Sequence, residues 1–176
     1  MATRLRPMAE LNQLGSCEFG EALRPLFEAA GPLAEALQAQ RPFASYADLI
    51  ERGEAVAVGL SRAQQISVLN GHPRIGESGR VVKQTSDLSY REQAYDAETN
   101  LAPDALRGVY AELARLNRAY ERRFGFRFVV FVNGRAKSEL VPVLQERLHH
   151  SPEEELRAGL QAIFAIARDR LRTLAE

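Results

Sequence analysis

The chain has 176 residues, 45% of them apolar, with 23 basic and 23 acidic side chains. That length suits one domain with a single sizeable core, and the balanced charge excludes a general nucleic-acid binder, which needs a basic excess. The single cysteine, Cys17, excludes an internal disulfide, and no Cys/His spacing resembles a zinc site. Cys17 is expected to be a small buried residue in a reducing compartment. No apolar run approaches membrane-spanning length. The N-terminus "MATRLRPMAELN" lacks the continuous apolar core of a signal peptide, and the final "LAE" is not a peroxisomal address. Together these features predict a soluble cytoplasmic protein.

Apolar spacing is helical almost throughout. Phe19, Leu23 and Phe27 recur every four residues after a candidate cap at Ser16, with Pro25 expected to kink or restart the helix. "GPLAEALQAQ" predicts a short helix from Pro32. In "SYADLIER", Ser45 stands three residues before Asp48, a cap-like pairing. "LSRAQQISVLNGH" carries Ser61 and Gln64 as a capping box, with Ile66 and Leu69 on one face. His72 follows, directly before Pro73. Proline cannot continue a helix and pushes its neighbour out of the α region, so His72 marks a helix end.

Residues 76–88, "GESGRVVKQTSDL", lack periodicity and read as a loop. Ser89 then opens a helix, "SYREQAYDAE", with Ser89 and Glu92 spaced as a capping box. The strongest helix follows: Pro103 starts it, Gly125 ends it, and Leu106, Tyr110, Leu113, Asn117 and Tyr120 follow three-four spacing. "FRFVVFV", residues 126–132, breaks the pattern and reads as an extended, buried segment. "SELVPVLQERL" returns to helix with Pro142 near the first turn. The last helix begins with a Ser151 cap, Pro152 and an acidic first turn. The prediction is a single all-α multi-helix domain over residues 1–176 with one extended apolar segment beside the site. A lone extended segment has no ladder partner, and its amides must be satisfied elsewhere, for instance by a ligand.

Three patches carry candidate chemistry: "HPRIGE", "SYREQ" and "FVVFV". Each also has a plain structural reading as a helix stop, a capping box and core. On the last helix Leu156, Leu160, Ile163 and Ala167 form one stripe that Arg170 continues, while Arg168 lies farther round. An arginine there either snorkels or needs an anion. The pair His149–His150 near a helix end is expected to serve the helix dipole rather than a metal.

The ordered set of motifs resembles the 2-oxo-4-hydroxy-4-carboxy-5-ureidoimidazoline (OHCU) decarboxylase family of urate degradation. The resemblance covers most of the chain. It includes "ELN" at Glu10–Asn12, "RPF" at Arg41–Phe43, "LS" before the helix leading to His72, and "GHPRIGE". It continues through "SYREQ", seventeen residues after the histidine, then "LNRAYERRFGFRFVVFV" and "ARDRL". The chain departs from the commoner family pattern at "EAAGPL", at Arg127 and at "AYDAE".

The resemblance implies a decarboxylase needing no cofactor. The family's substrate carries a carboxylate and a hydroxyl on one ring carbon beside a C=N bond, which can accept the electrons left by carbon dioxide. A histidine titrating near neutral pH can move the proton then required. By this resemblance His72 is the acid/base, and Glu92 orients the imidazole or the substrate hydroxyl. Pro73, Ser89, Tyr90, Arg91, Gln93 and the backbone of Phe128, Val129, Val130, Phe131 and Val132 bind the substrate, and Arg170 meets its carboxylate. A homodimer is also implied, with no nucleic-acid or membrane partner. Two other readings stay open: a non-catalytic helical interaction module, and a metal-assisted hydrolase using His72 with Glu77 or Glu92.

Overall fold

The structure is a computed structural model that describes residues 5–28, 30–93 and 102–175. Among them are ten helices and no strand, as an all-α chain requires. The backbone divides into two compact units, Met1–His72 with Leu160–Glu176, and Pro73–Gly159. The boundary falls on the His72–Pro73 bond.

The first unit contains α1 (Met8–Leu11), α2 (Ser16–Phe27), α3 (Gly31–Gln38), α4 (Tyr46–Gly59), α5 (Arg62–Asn70) and the later part of α10 (Pro152–Ala175). Phe19, Leu23, Leu26 and Phe27 of α2 are buried with Leu33 and Leu37 of α3 and Ile163, Phe164 and Ala167 of α10. Each large side chain so buried contributes roughly 1.5–3 kcal/mol. Phe27 meets Phe164 edge-on, ring centres 5.6 Å apart. Gly53 lets α4 pass close, since a Cβ there would lie 3.2 Å from the Phe164 ring and 3.4 Å from Leu37. The "ELN" and "RPF" motifs hold one another: Asn12 donates to the Phe43 carbonyl at 2.9 Å and accepts from its amide at 2.8 Å. Arg41 reaches the Asn12 and Leu14 carbonyls. Ser45 and Ser61 cap α4 and α5, the latter with the full Ser61–Gln64 box.

Two expectations need correction here. Ser16 is the first residue of α2 rather than its cap; Gly15 holds that position. Of the two outcomes expected at Pro25, a kink or a restart, α2 does not restart there: Pro25 lies inside the helix, which ends at Phe27. Cys17 is exposed, because α2 turns Phe19 and Leu23 inward and leaves residue 17 on another face.

The second unit contains α6 (Gly79–Thr85), α7 (Asp87–Glu92), α8 (Pro103–Phe124), α9 (Lys137–Arg147) and the start of α10. Leu113, Leu116, Asn117 and Tyr120 form the buried stripe of α8, and Gly125 ends it in the left-handed conformation. Tyr120 packs on Phe124, Phe126 and Phe128, with ring centres 4.5, 5.9 and 5.3 Å away. Residues 126–132 are neither helix nor strand, and Phe126, Phe128, Val129 and Val132 are buried. Positive φ at Asn133 and Gly134 turns the chain into α9.

Residues 76–88 are not a loop: α6 lies within them and α7 begins there. Ser78 caps α6, but Val82 is buried while Val81 is exposed, so no apolar period announces the helix. Ser86, not Ser89, caps α7, accepting from the Ser89 amide at 3.1 Å. Residues 94–98 of the expected "SYREQAYDAE" helix lie outside the described residues. Pro142 sits inside α9 just past its first turn. No helix among the described residues is long and apolar enough to cross a membrane.

Candidate active site

His72 is placed by the end of α5. Val68 and Leu69 are fully buried and anchor that helix, Gly71 ends it, and the His72 amide donates to the Leu69 carbonyl at 3.1 Å. The side chain is buried. Burial pushes the imidazole down to about 4; the Arg170 guanidinium acts in the same direction, and the Glu28 carboxylate opposes it. His72 is therefore neutral at physiological pH, a base before it is an acid.

Arg170 continues the buried stripe of α10 as its spacing predicts, at 1% exposure, whereas Arg168 is exposed and pairs with Glu54. The anion that Arg170 requires is Glu28, 2.8 Å from Nη2. Its Nη1 also donates to the Pro25 carbonyl at 3.3 Å. Glu28 follows the last residue of α2 with φ 56° and ψ −142°. A non-glycine residue in such a region costs on the order of 1–3 kcal/mol. Sequence reasoning missed Glu28. A buried arginine signals that some carboxylate must answer it, but spacing along the chain does not say which of the 23 acidic residues does.

In the second unit Pro73 opens the segment "PRIGE", which is tied down at each residue that follows. Arg74 grips Glu121 through two bonds of 2.6 and 3.0 Å. Asn117 donates to the Ile75 carbonyl at 2.8 Å, which accounts for a polar residue on the core stripe of α8. The Gly76 amide donates to Gln93 Oε1 at 3.3 Å. Gly76 has φ 71°, and a Cβ there would lie 2.7 Å from Leu113, so only glycine fits. Gln93 is thus brought onto the His-Pro segment, and Lys137, buried on α9 and also missed from the sequence, donates to its carbonyl at 2.6 Å.

The other expected site residues of this unit divide by exposure. Ser89 is buried, Tyr90 and Glu92 are half-buried, and Arg91 is exposed. Lys83 lies over the Tyr90 ring at 5.0 Å. Since Ser86 is the cap, the capping-box explanation of Ser89 and Glu92 fails. Phe128, Val129 and Val132 are buried, and Val130 and Phe131 are half-buried. Among the described residues of this unit, no backbone carbonyl accepts a bond from the amides of Phe128–Val132. The structure thus groups His72 with Arg170 in the first unit, and Gln93 with the residues after Pro73 in the second.

His150 stands just past the end of α9 and also meets a carboxylate. Its Nδ1 lies 2.7 Å from Glu155, a fully buried carboxylate that Arg147 also meets at 2.8 Å. Tyr120 donates to the same group at 2.5 Å, and burial followed by that carboxylate raises its phenol. No group of three or more His, Cys, Asp or Glu that could hold a metal occurs among the described residues.

Residues 12–172 match the family model described as OHCU decarboxylase. The chain is 34% identical over 164 residues to the uric acid degradation bifunctional protein PucL of Bacillus subtilis, covering 93% of this chain and 32% of that protein. A second bifunctional relative, from Bacillus sp. (strain TB-90), is also matched over 32% of its length, so the chain spans about a third of these two proteins. It is 33% identical to the 2-oxo-4-hydroxy-4-carboxy-5-ureidoimidazoline decarboxylase of Mus musculus, covering 95% of this chain and 92% of the relative. The crystal structure of an (S)-allantoin synthase superposes with a TM-score of 0.65 at 22% identity, over 96% of this chain and 54% of that one. That of an OHCU decarboxylase in the presence of (S)-allantoin gives 0.62 at 18%, over 87% and 97%. At those identities the likeness is one of fold. The match of the family model over residues 12–172, nearly the whole sequence, makes this chain a member of the OHCU decarboxylase family.

Proposed function

We propose that the chain decarboxylates 2-oxo-4-hydroxy-4-carboxy-5-ureidoimidazoline to (S)-allantoin, with residues 1–176 acting as one catalytic domain in the cytoplasm. The observation that carries this reading is the buried imidazole of His72, held neutral beside an arginine in a family whose named members are decarboxylases of this substrate. Breaking the bond to carbon dioxide leaves an electron pair that forms a double bond to the adjacent ring carbon. The C=N pair moves onto nitrogen, which takes a proton from solvent. The product of that step is an enol. A neutral imidazole takes the enol proton and returns a proton to the adjacent carbon, giving the carbonyl and the new C–H bond. The substrate supplies its own electron sink, so no cofactor is invoked.

His72 is the acid/base in this reading, and Glu92 orients it or the hydroxyl. Pro73, Ser89, Tyr90, Arg91 and Gln93 bind the ureido and ring groups together with the backbone of Phe128–Val132. Arg170 meets the carboxylate. Support for the backbone role is the lack of carbonyl partners for those amides among the described residues of their unit. Assembly as a homodimer belongs to the same proposal, and sedimentation at a monomer mass would remove it.

Mixing the protein with freshly made urate-oxidation product and its hydrolase, and following allantoin by circular dichroism, tests the activity. His72→Asn should lower turnover at least about a hundredfold, the usual scale of acid–base contributions. His149→Ala, at an exposed position, should not. A folded His72→Asn protein with most of its activity would refute the assignment. Loss on chelation that added metal restores would favour the hydrolase reading instead.

A further inference from the structure

We infer that Glu28 is a positioning residue of the reaction, holding the Arg170 guanidinium in place and balancing its charge beside His72. This rests on the decarboxylase reading above, which assigns no role to Glu28. Three independent features carry it. First, Glu28 and Arg170 pair at 2.8 Å with exposures of 8% and 1%. A planar guanidinium with one edge fixed by a carboxylate, and Nη1 bonded to the Pro25 carbonyl, is held in one orientation. Second, Glu28 occupies a positive-φ conformation that glycine takes more easily, so the backbone alone does not call for glutamate there. Strained residues of this kind persist where the side chain is needed. Third, Arg170 of α10 and Glu28 after α2, of opposite sign, both act on His72 within this unit.

Glu28 also lines a cleft of about 290 Å³ between α2 and α3, together with Glu21, Arg24 and Glu35. Arg24 there pairs with Glu21 at 3.2 Å, which leaves Glu28 as the carboxylate facing inward to Arg170. Replacing Glu28 by a neutral isostere would leave Arg170 charged and loosely held beside the imidazole. Two consequences follow: weaker use of the guanidinium by substrate, and an imidazole still harder to protonate.

The test uses the intact chain with Glu28→Gln, Glu28→Asp and His72→Asn. The three histidines give three ring signals by NMR, and loss of one in His72→Asn assigns His72. Glu28→Gln should move the His72 titration to lower pH by about half a unit or more, the scale of a nearby buried charge. It should also lower kcat/KM about tenfold or more, with a rise in KM. Glu28→Asp should keep the titration near that of the parent and recover part of the rate. A His72 titration that is identical in parent and Glu28→Gln, or that never begins before unfolding in both, overturns the electrostatic role. Unchanged kinetics in Glu28→Gln overturns the positioning role. If the decarboxylase reading itself is wrong, the parent chain forms no allantoin; if only Glu28 is misassigned, the parent is active, His72→Asn is inactive and Glu28→Gln matches the parent.

Discussion

Arg170 of α10 and Glu28 after α2 meet at 2.8 Å inside the first unit, and both are almost wholly removed from solvent. A guanidinium so far from water is held by that carboxylate and by the Pro25 carbonyl. The pair therefore makes a structural demand as well as a chemical one, and the two can be separated by substitution.

Arg170→Lys should weaken substrate use, because an ammonium cannot reproduce the planar two-donor fork. It should also destabilise the fold, by less than the about 3–5 kcal/mol of removing one partner of a buried pair, because the ammonium keeps the charge and loses only the fork. Arg168→Lys should change neither, since the Arg168–Glu54 pair is exposed and such pairs contribute about 1 kcal/mol or less. Thermal melts and steady-state kinetics of the two variants check this. A silent Arg170→Lys beside a sensitive Arg168→Lys would mean that the other arginine serves the reaction.

Acid should destabilise the protein through His72. Its imidazole titrates near 6.5 when unfolded and at about 4 when buried, so the unfolded chain binds the extra proton between those values. The stabilisation from keeping it neutral is complete above pH 6.5 and is lost as pH falls toward 4. A difference of that size is on the order of 3 kcal/mol. Denaturant midpoints measured from pH 7 down to 4 should fall steeply in the parent and less in His72→Asn. Parallel curves would show that His72 is not neutral in the folded state.

Glu92→Gln should abolish most activity with little change in melting temperature. Glu92 is not the partner of a capping serine, because Ser86 caps α7. Ser86→Ala should instead cost about 1 kcal/mol, the usual scale of an N-cap. A Glu92→Gln protein as active as the parent would leave that carboxylate without a part in the chemistry.

Glu155→Gln should be the most damaging of these changes to stability. Tyr120, Arg147 and His150 all converge on that one buried carboxylate. Removing its charge strands the Arg147 guanidinium, at a cost of about 3–5 kcal/mol. Because Tyr120 also stacks on Phe126 and Phe128, loosening should extend to residues 126–132 and show as faster amide exchange there. A melting temperature near that of the parent would show that the cluster contributes little.

Much of the helical framework is written locally. The Ser45 and Ser61 caps, the Pro103-to-Gly125 limits of α8 and the Ser151 cap of α10 follow from groups a few residues apart, which satisfy one another wherever the helix lies. The inward phase of Arg170 was equally legible, because 3.6 residues per turn places it behind Ile163 and Ala167. Local rules failed where several residues could play one part. Ser86 and Ser89 are both plausible caps, and α6 buries only Val82 of its two valines, so the residue-level pattern does not separate helix from loop. Motif order along the chain singles out His72, Glu92 and Gln93 as candidates. The carboxylate that answers Arg170 was not readable, because Glu28 lies 142 positions earlier and nothing in its neighbourhood encodes that distance. The same holds for Glu155, on which a tyrosine, an arginine and a histidine from separate segments converge. Sequence by itself determined the strongly periodic or capped helices, the inward face of α8 and α10, and which motifs are present. Only the tertiary structure decided how buried charges are neutralised, because a charge removed from water takes its partner from whatever the fold brings within about 3 Å, irrespective of chain separation.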